Sequence, residues 1–314
     1  MIHKNVLEVI GKTPLVQLQR VGQHTGCRFL AKLEYLNPGG SVKSRTAYAM
    51  VKGAMERGII KPDSILVEVT SGNQGIGIAM VGAVLGLKVR IIMPEVMSKE
   101  RQMLMWSYGA EIVLTPAGKD IGDAIQIAID RAKEMAAKDP RVFWVNQFSN
   151  QDNPGIHRRA TGQEILNDVD GPIDAFISGI GTGGTITGVG QVLKTKYPKC
   201  RIVAAEPENA AILSGGKIGH HIQQGIGDGL IPDVLDQKII DDKIIVTDYD
   251  ALCTARLLAK NEGMFVGVSS GTNVTAAICI AEKLGPGKTI VMLLPDTGDR
   301  YLSAGLVEET NCVE

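Results

Sequence analysis

Along this chain, short apolar runs rich in β-branched residues alternate with longer segments whose apolar residues recur every three or four positions. The first pattern predicts buried strands and the second amphipathic helices, because a strand alternates faces and a helix returns to the same face each turn. Strands are expected at 28–33, 65–69, 89–93, 111–114, 142–146, 174–178, 202–205, 244–246 and 289–294. Helices are expected at 45–58, 73–86, 99–108, 121–137, 154–167, 188–196, 249–261 and 271–284. Such alternation builds parallel sheets covered by helices on both faces. At 314 residues the chain exceeds one minimal core, which favours two units. The polar run Ser149-Asn150-Gln151-Asp152-Asn153 interrupts the pattern and marks a candidate boundary.

Composition narrows the function without naming it. The chain is 44% hydrophobic and 21% charged, ordinary for a soluble globular protein. Its formal net charge is −1 with no basic stripe, which argues against nucleic-acid binding. Apolar runs break well short of the ~20 residues a membrane span needs. The start Met1-Ile2-His3-Lys4 is followed by no apolar signal core, so a cytoplasmic location is expected. Cys27, Cys200, Cys253, Cys279 and Cys312 lack paired spacing, which suits reduced thiols. Neither these nor the pair His220 and His221 makes a metal-ligand set, and no metal is expected.

Four loops at strand ends carry the candidate chemistry. The first, Asn37-Pro38-Gly39-Gly40-Ser41-Val42-Lys43, is a turn in which Ser41 can cap the following helix. Lys43 then falls in the first helical turn, where the positive helix end favours its neutral amine. A neutral amine is what Schiff-base chemistry requires. The second loop, Thr70-Ser71-Gly72-Asn73-Gln74-Gly75, places hydroxyls, amides and backbone N–H groups at a helix start, a setting for a carboxylate. In the third, Gly179-Ile180-Gly181-Thr182-Gly183-Gly184-Thr185, successive glycine N–H groups form a nest for a phosphate. It is neither a Walker loop nor a full dinucleotide fingerprint. The fourth, Gly267-Val268-Ser269-Ser270-Gly271, reads by itself as a cap with a tight turn.

With these loops in chain order, the sequence resembles the cysteine synthase (O-acetylserine sulfhydrylase) and cystathionine β-synthase family of fold-type II pyridoxal-phosphate enzymes. The resemblance spans residues 7–306, including Ile10-Gly11-Lys12-Thr13-Pro14-Leu15-Val16 and Leu294-Pro295-Asp296-Thr297-Gly298-Asp299-Arg300-Tyr301. It implies an α/β fold of two three-layer αβα domains with mostly parallel twisted sheets and the active site in the cleft between them. Residues 37–150 would form the smaller, mobile domain with the carboxylate loop. Residues 1–36 and 151–314 would form the larger one with the phosphate loop. Pyridoxal 5′-phosphate is the implied cofactor, a small amino acid the implied substrate and a homodimer the implied assembly.

The resemblance also implies roles. Lys43 would be the Schiff-base lysine and general base, and Asn73 would bond the cofactor's 3′-oxygen. Gly181, Thr182, Gly183, Gly184 and Thr185 would bind its phosphate. Ser269, or the adjacent Ser270, would face the pyridine nitrogen, and that neutral partner favours loss of a β-substituent over transamination. Thr70, Ser71, Gly72, Asn73, Gln74 and Gln147 would hold the substrate carboxylate, with Gly227 also at the substrate.

Three positions depart from the family pattern: Ser44 in place of aspartate, Gln74 in place of threonine, and Asp228 in place of alanine within Gly225-Ile226-Gly227-Asp228-Gly229. An acid at 228 could take a proton from an incoming water or thiol and would repel hydrosulfide. The expected reaction is therefore β-elimination and β-replacement through α-aminoacrylate, consuming L-cysteine and releasing hydrogen sulfide with L-serine or a thioether amino acid as product. The alternatives are a cysteine synthase using O-acetyl-L-serine and sulfide, and a catalytically silent regulator that binds a partner's C-terminal tail.

Overall fold

The computed structural model describes residues 2–70, 72–95, 99–119 and 121–307, the side chains of 303 and 304 excepted. In chain order its main elements begin with β1 (Leu15–Gln17), β2 (Arg28–Leu33), α1 (Lys43–Glu56), β3 (Ile65–Val69), α2 (Asn73–Leu85) and β4 (Lys88–Pro94). Next come α3 (Lys99–Ser107), β5 (Glu111–Thr115), α4 (Ile121–Lys138), β6 (Val142–Trp144), α5 (Asp152–Ile156), a π-helical turn (His157–Thr161) and α6 (Gly162–Asp168). The chain continues through β7 (Ala175–Gly179), α7 (Gly184–Lys196), β8 (Arg201–Pro207), β9 (Asp242–Val246), α8 (Asp248–Glu262), α9 (Val268–Leu284) and β10 (Thr289–Leu294).

These strands make two sheets, one ordered β1-β2-β10-β7-β8-β9 and one ordered β5-β4-β3-β6. Every pairing is parallel except β1 with β2, where Leu15 opposes Lys32 and Gln17 opposes Leu30. The antiparallel β1 is absent from the sequence expectation, because three residues are too few to show a period. All five residues of β3 are buried, as a strand covered on both faces requires.

Alternation sorts the strand residues between helical layers. In the larger sheet Ala31, Ile177, Val203 and Met292 pack with Leu258 of α8 and with Val274 and Ile280 of α9. Their neighbours Leu30, Phe176, Ile202 and Val291 pack on the other face with Ile165 of α6 and Val189 and Leu193 of α7. In the smaller sheet Leu66 and Ile91 meet Met50 of α1 and Ile78 of α2, while Val67 and Ile92 meet Ala128 and Ala132 of α4. Both sheets are thus the centre of an α/β sandwich.

Three helix expectations shift. The helix expected at 154–167 is interrupted by the π-helical turn, an insertion that often accompanies a functional site. Helices α7 and α9 begin at Gly184 and Val268, ahead of the expected 188 and 271. Packing demands glycine at the first residue of the expected α9: a Cβ at Gly271 would lie 1.8 Å from the Ala251 carbonyl oxygen of α8. Cys27, Cys200 and Cys279 are free thiols, whereas Cys253 is disulfide-bonded, contrary to the expectation of reduced cysteines. Among the described residues no helix is long and apolar enough to cross a membrane.

A buried ion network joins segments far apart in sequence. Arg45 of α1 donates to Glu34 at 2.7 and 2.9 Å, to Glu164 of α6 at 2.7 and 2.6 Å, and to the Thr13 hydroxyl at 3.1 Å. Lys32 of β2 pairs with the same Glu164 at 2.9 Å. Glu34 and Lys32 are fully buried. The network ties α1, which packs in the smaller sandwich, to β2 and α6 of the larger.

Candidate active site

Strands of both sheets end on one cleft of about 820 Å³, partly open to solvent. This is where open parallel sheets place ligands. Lys43, Thr70, Asn73, Gln74, Gln147 and Ser269 line it, as do Gly181, Thr182, Gly183, Thr185 and Asp228. Gly72, Gly184 and Gly227 are not among its lining residues, although each adjoins one that is. Ser71 lies outside the described residues. Among the described residues no cluster of three His, Cys, Asp or Glu could hold a metal.

Lys43 is the first residue of α1, and its amide donates to the Ser41 hydroxyl at 3.3 Å. Its side chain opens only partly, into the cleft it lines. Burial pushes the amine below the ordinary lysine value, against the opposing pull of Asp228, Glu68 and Asp296. Ser44, one of the departures, is buried and donates its hydroxyl to the Pro38 carbonyl, closing the turn that delivers Lys43.

Donors for a carboxylate gather where β3 meets α2. The Gln74 side chain accepts from the Thr46 hydroxyl at 2.8 Å, and its buried Nε2 has no partner among the described residues. An unsatisfied buried donor in a cleft wall suits an anionic ligand. The Thr70 hydroxyl accepts the Gly72 amide at 3.0 Å, and Gln147 Nε2 donates to the Val69 carbonyl at 2.9 Å. Asn73 is already engaged, donating to Asp296 at 2.6 Å and accepting from Arg300.

The loop after β7 is a cradle formed by close backbone approach. A Cβ at Gly181 would stand 2.4 Å from the Gly225 carbonyl oxygen, and one at Gly184 would stand 2.0 Å from Asn153 Oδ1. Gly183 has φ +77°, a left-handed conformation that glycine takes without strain. The loop opens α7, whose first amides lack partners within the helix and whose dipole favours an anion. Asn153 holds the rim by donating to Gln147 O at 2.8 Å and to the Thr182 hydroxyl at 3.0 Å. A backbone nest with threonine hydroxyls, facing a desolvated lysine, fits a phosphorylated aldehyde such as pyridoxal phosphate.

Asp228 borders the cleft and two adjoining cavities, one of about 1310 Å³. Burial raises its carboxyl above the usual range, while Lys43, His221 and Arg101 pull it back. Its loop is pinned to the end of β7 by Gly227 N donating to Ile180 O at 2.9 Å.

Sequence reasoning missed three buried groups. Glu68 in β3 accepts from the amides of Val69 at 2.8 Å and Gln147 at 3.3 Å, and burial raises its carboxyl to about 8. Asp296 receives Asn73 and the Tyr301 hydroxyl, each at 2.6 Å. His157 touches Thr185 of the cradle at 3.2 Å. Glu68 alone had a local signal, as a lone acid inside an apolar strand.

Comparison with known proteins agrees with this geometry. The sequence profile of the pyridoxal-phosphate dependent enzymes matches residues 6–296. A cysteine synthase of Staphylococcus aureus is 48% identical over 303 residues, covering 96% of each chain. The crystal structure of cysteine synthase (OASS) from Entamoeba histolytica superposes with a TM-score of 0.94 at 42% identity, covering 100% of this chain and 93% of that one. A hydrogen sulfide-producing enzyme from Fusobacterium nucleatum superposes with a TM-score of 0.91 at 38% identity, covering 96% and 99%. The lysine-bearing cleft and its cradle are therefore those of a chain belonging to the pyridoxal-phosphate dependent enzyme family, among the β-replacing enzymes related to cysteine synthase.

Proposed function

We propose that this enzyme consumes L-cysteine, releasing hydrogen sulfide from the β-carbon and replacing it with water to give L-serine, or with a second thiol amino acid to give a thioether. The carrying observation is Asp228, a buried carboxyl in the wall of the same cleft as Lys43 and electrostatically coupled to it. Bound pyridoxal phosphate supplies an electron-withdrawing ring that acidifies the α-proton of an amino acid and lets a β-substituent leave. Gln74, Thr70 and Gln147, with Asn73 and the backbone from Gly72, orient the substrate carboxylate. Lys43, held toward its neutral form, removes the α-proton. Asp228, whose carboxyl burial makes a stronger proton acceptor than an exposed one, takes the proton of the incoming water or thiol. When ionised it also disfavours an anionic hydrosulfide nucleophile.

In this reading Gly181, Thr182, Gly183, Gly184 and Thr185 hold the cofactor phosphate, and Ser269 meets its pyridine nitrogen. Asn73 meets its 3′-oxygen, and Gly227 shapes the substrate side. Residues 37–150 act as the smaller moving domain against 1–36 and 151–314. A homodimer is carried over from the resemblance, and a cytoplasmic location from the expectation set by the N-terminal residues. The sulfide-producing function of the Fusobacterium relative supports the same direction.

Product analysis tests this. Wild type supplied with cysteine alone should form sulfide and serine or a thioether, and Asp228→Ala should release one equivalent of sulfide and then stall. Efficient cysteine synthesis from O-acetylserine and sulfide, unchanged by the substitution, would favour the second reading, an ordinary cysteine synthase. The 48% identity to the staphylococcal cysteine synthase is the observation behind that alternative.

A further inference from the structure

His157 is 1% exposed, sits at the start of the π-helical turn and joins two hydroxyls. Its Nδ1 lies 3.0 Å from Thr161 Oγ1 and its Nε2 lies 3.2 Å from Thr185 Oγ1. The Thr161 side chain is fully buried, and His157 Nδ1 is its one hydrogen-bond partner among the described residues. A buried hydroxyl hydrogen needs an acceptor, so Thr161 donates and Nδ1 accepts. A neutral imidazole with Nδ1 accepting carries its proton on Nε2. Nε2 then donates to Thr185 Oγ1, occupying an oxygen lone pair and leaving the hydroxyl hydrogen unspent.

We infer that His157 is a positioning residue for the cofactor phosphate, fixing the Thr185 hydroxyl as a donor into the cradle. The inference rests on the reading of residues 181–185 as the phosphate loop. Burial, with Arg45 and Lys43 adding to it and Glu164 opposing, holds the imidazole well below its ordinary value and hence neutral. An imidazolium would donate from both nitrogens and leave the Thr161 hydrogen without its acceptor. The π-helical turn is what brings His157 and Thr161 onto α7 at this point, since α7 packs directly on that segment.

The test compares equilibrium binding of pyridoxal phosphate and of unphosphorylated pyridoxal to the full-length chain, with the ³¹P signal of the bound cofactor as a second readout. Thr185→Val and His157→Leu should each reduce the preference for the phosphorylated form by about tenfold, the scale of one hydrogen bond to a charged group. His157→Gln, whose amide can still donate to Thr185, should restore most of the preference. The double variant should be no weaker than either single one, because both remove the same donor. If Thr185→Val leaves the preference unchanged, the phosphate-loop reading fails and the inference falls with it. If Thr185→Val acts but His157→Leu weakens both ligands equally, or neither, the role assigned to His157 alone is overturned.

Discussion

Asp296 accepts the side-chain amide of Asn73 at 2.6 Å, across 223 positions of sequence, and accepts the Tyr301 hydroxyl at the same distance. Asn73 is held from its other end by Arg300, so the amide cannot turn without breaking a bond. The orientation of a residue at the cleft is therefore set by the segment that follows β10.

Replacing Asp296 by alanine strands the buried Tyr301 hydroxyl and frees the half-buried Asn73 amide. The expected loss is about 2 kcal/mol of unfolding free energy, from roughly 1–3 kcal/mol for the one buried group left unsatisfied. Tyr301→Phe removes one donor and no acceptor and should cost about 1 kcal/mol. Urea unfolding midpoints of the two variants would separate these outcomes. Equal losses would show that Asn73 gains nothing from Asp296.

Glu68 should give the stability profile an alkaline slope. Burial raises its carboxyl to about 8, above the value of 4.5 taken for an unperturbed glutamate. Between these values the native state holds a proton that the unfolded chain has released, so stability falls as pH rises. The contribution is complete below about pH 4.5 and lost through about pH 8, with a limiting slope near 1.4 kcal/mol per pH unit. In Glu68→Gln the slope from this group should vanish, and thermal unfolding from pH 5 to 9 would show it as a flatter profile than wild type.

The cradle tolerates no side chain at its rear. Gly184→Ala places a methyl group 2.0 Å from Asn153 Oδ1, and Asn153 cannot retreat without releasing Gln147 and Thr182. Cofactor affinity should fall by at least about tenfold, the equivalent of one lost hydrogen bond to a charged group. Titrating the full-length chain with pyridoxal phosphate and following its visible absorbance measures this. Unchanged affinity would place the phosphate elsewhere.

Arg45→Ala removes the centre of the buried ion network and leaves Glu34 without its countercharge. The expected cost is roughly 3–5 kcal/mol, that of breaking a buried pair from one side. Glu164 should feel it as well. Although burial pushes its carboxyl up, hydrogen bonds from Arg45 and Lys32 hold it down to about 2. A depressed carboxyl stabilises the fold above its unfolded value and loses that effect as pH falls toward 2. The variant's acid-unfolding curve should therefore shift less between pH 5 and 2 than that of wild type.

The strands and the loops that follow them were legible in the sequence because both signals are local. Short runs of five or six mainly apolar residues mark β2, β3 and β10, and the glycine nest follows β7 within two residues. Other features are relations between distant positions. Neither Asn73 nor Asp296 carries a mark of its partner, and His157 looks like an ordinary residue on a helix until α7 is packed against it. Gly271 is a poor helix former by propensity, and only the nearby backbone of α8 shows why glycine stands there. Gly227, expected at the substrate, lines the two cavities that share Asp228 with the cleft, and its amide donates to Ile180 O.

Strand β10 lies between β2 and β7 in the larger sheet and is hydrogen-bonded to both. Of the strands in that sheet it is the last to be synthesised, although it occupies an inner place. Until residue 294 has left the ribosome, β1 and β2 have no edge to join, and β7, β8 and β9 form an open half. On the nascent chain only the smaller sheet, complete by Trp144, can close early. The larger must wait with two apolar edges exposed, a state prone to pairing with other chains. Chains arrested before residue 289 should therefore carry a folded smaller sheet and aggregate through the unfinished larger one.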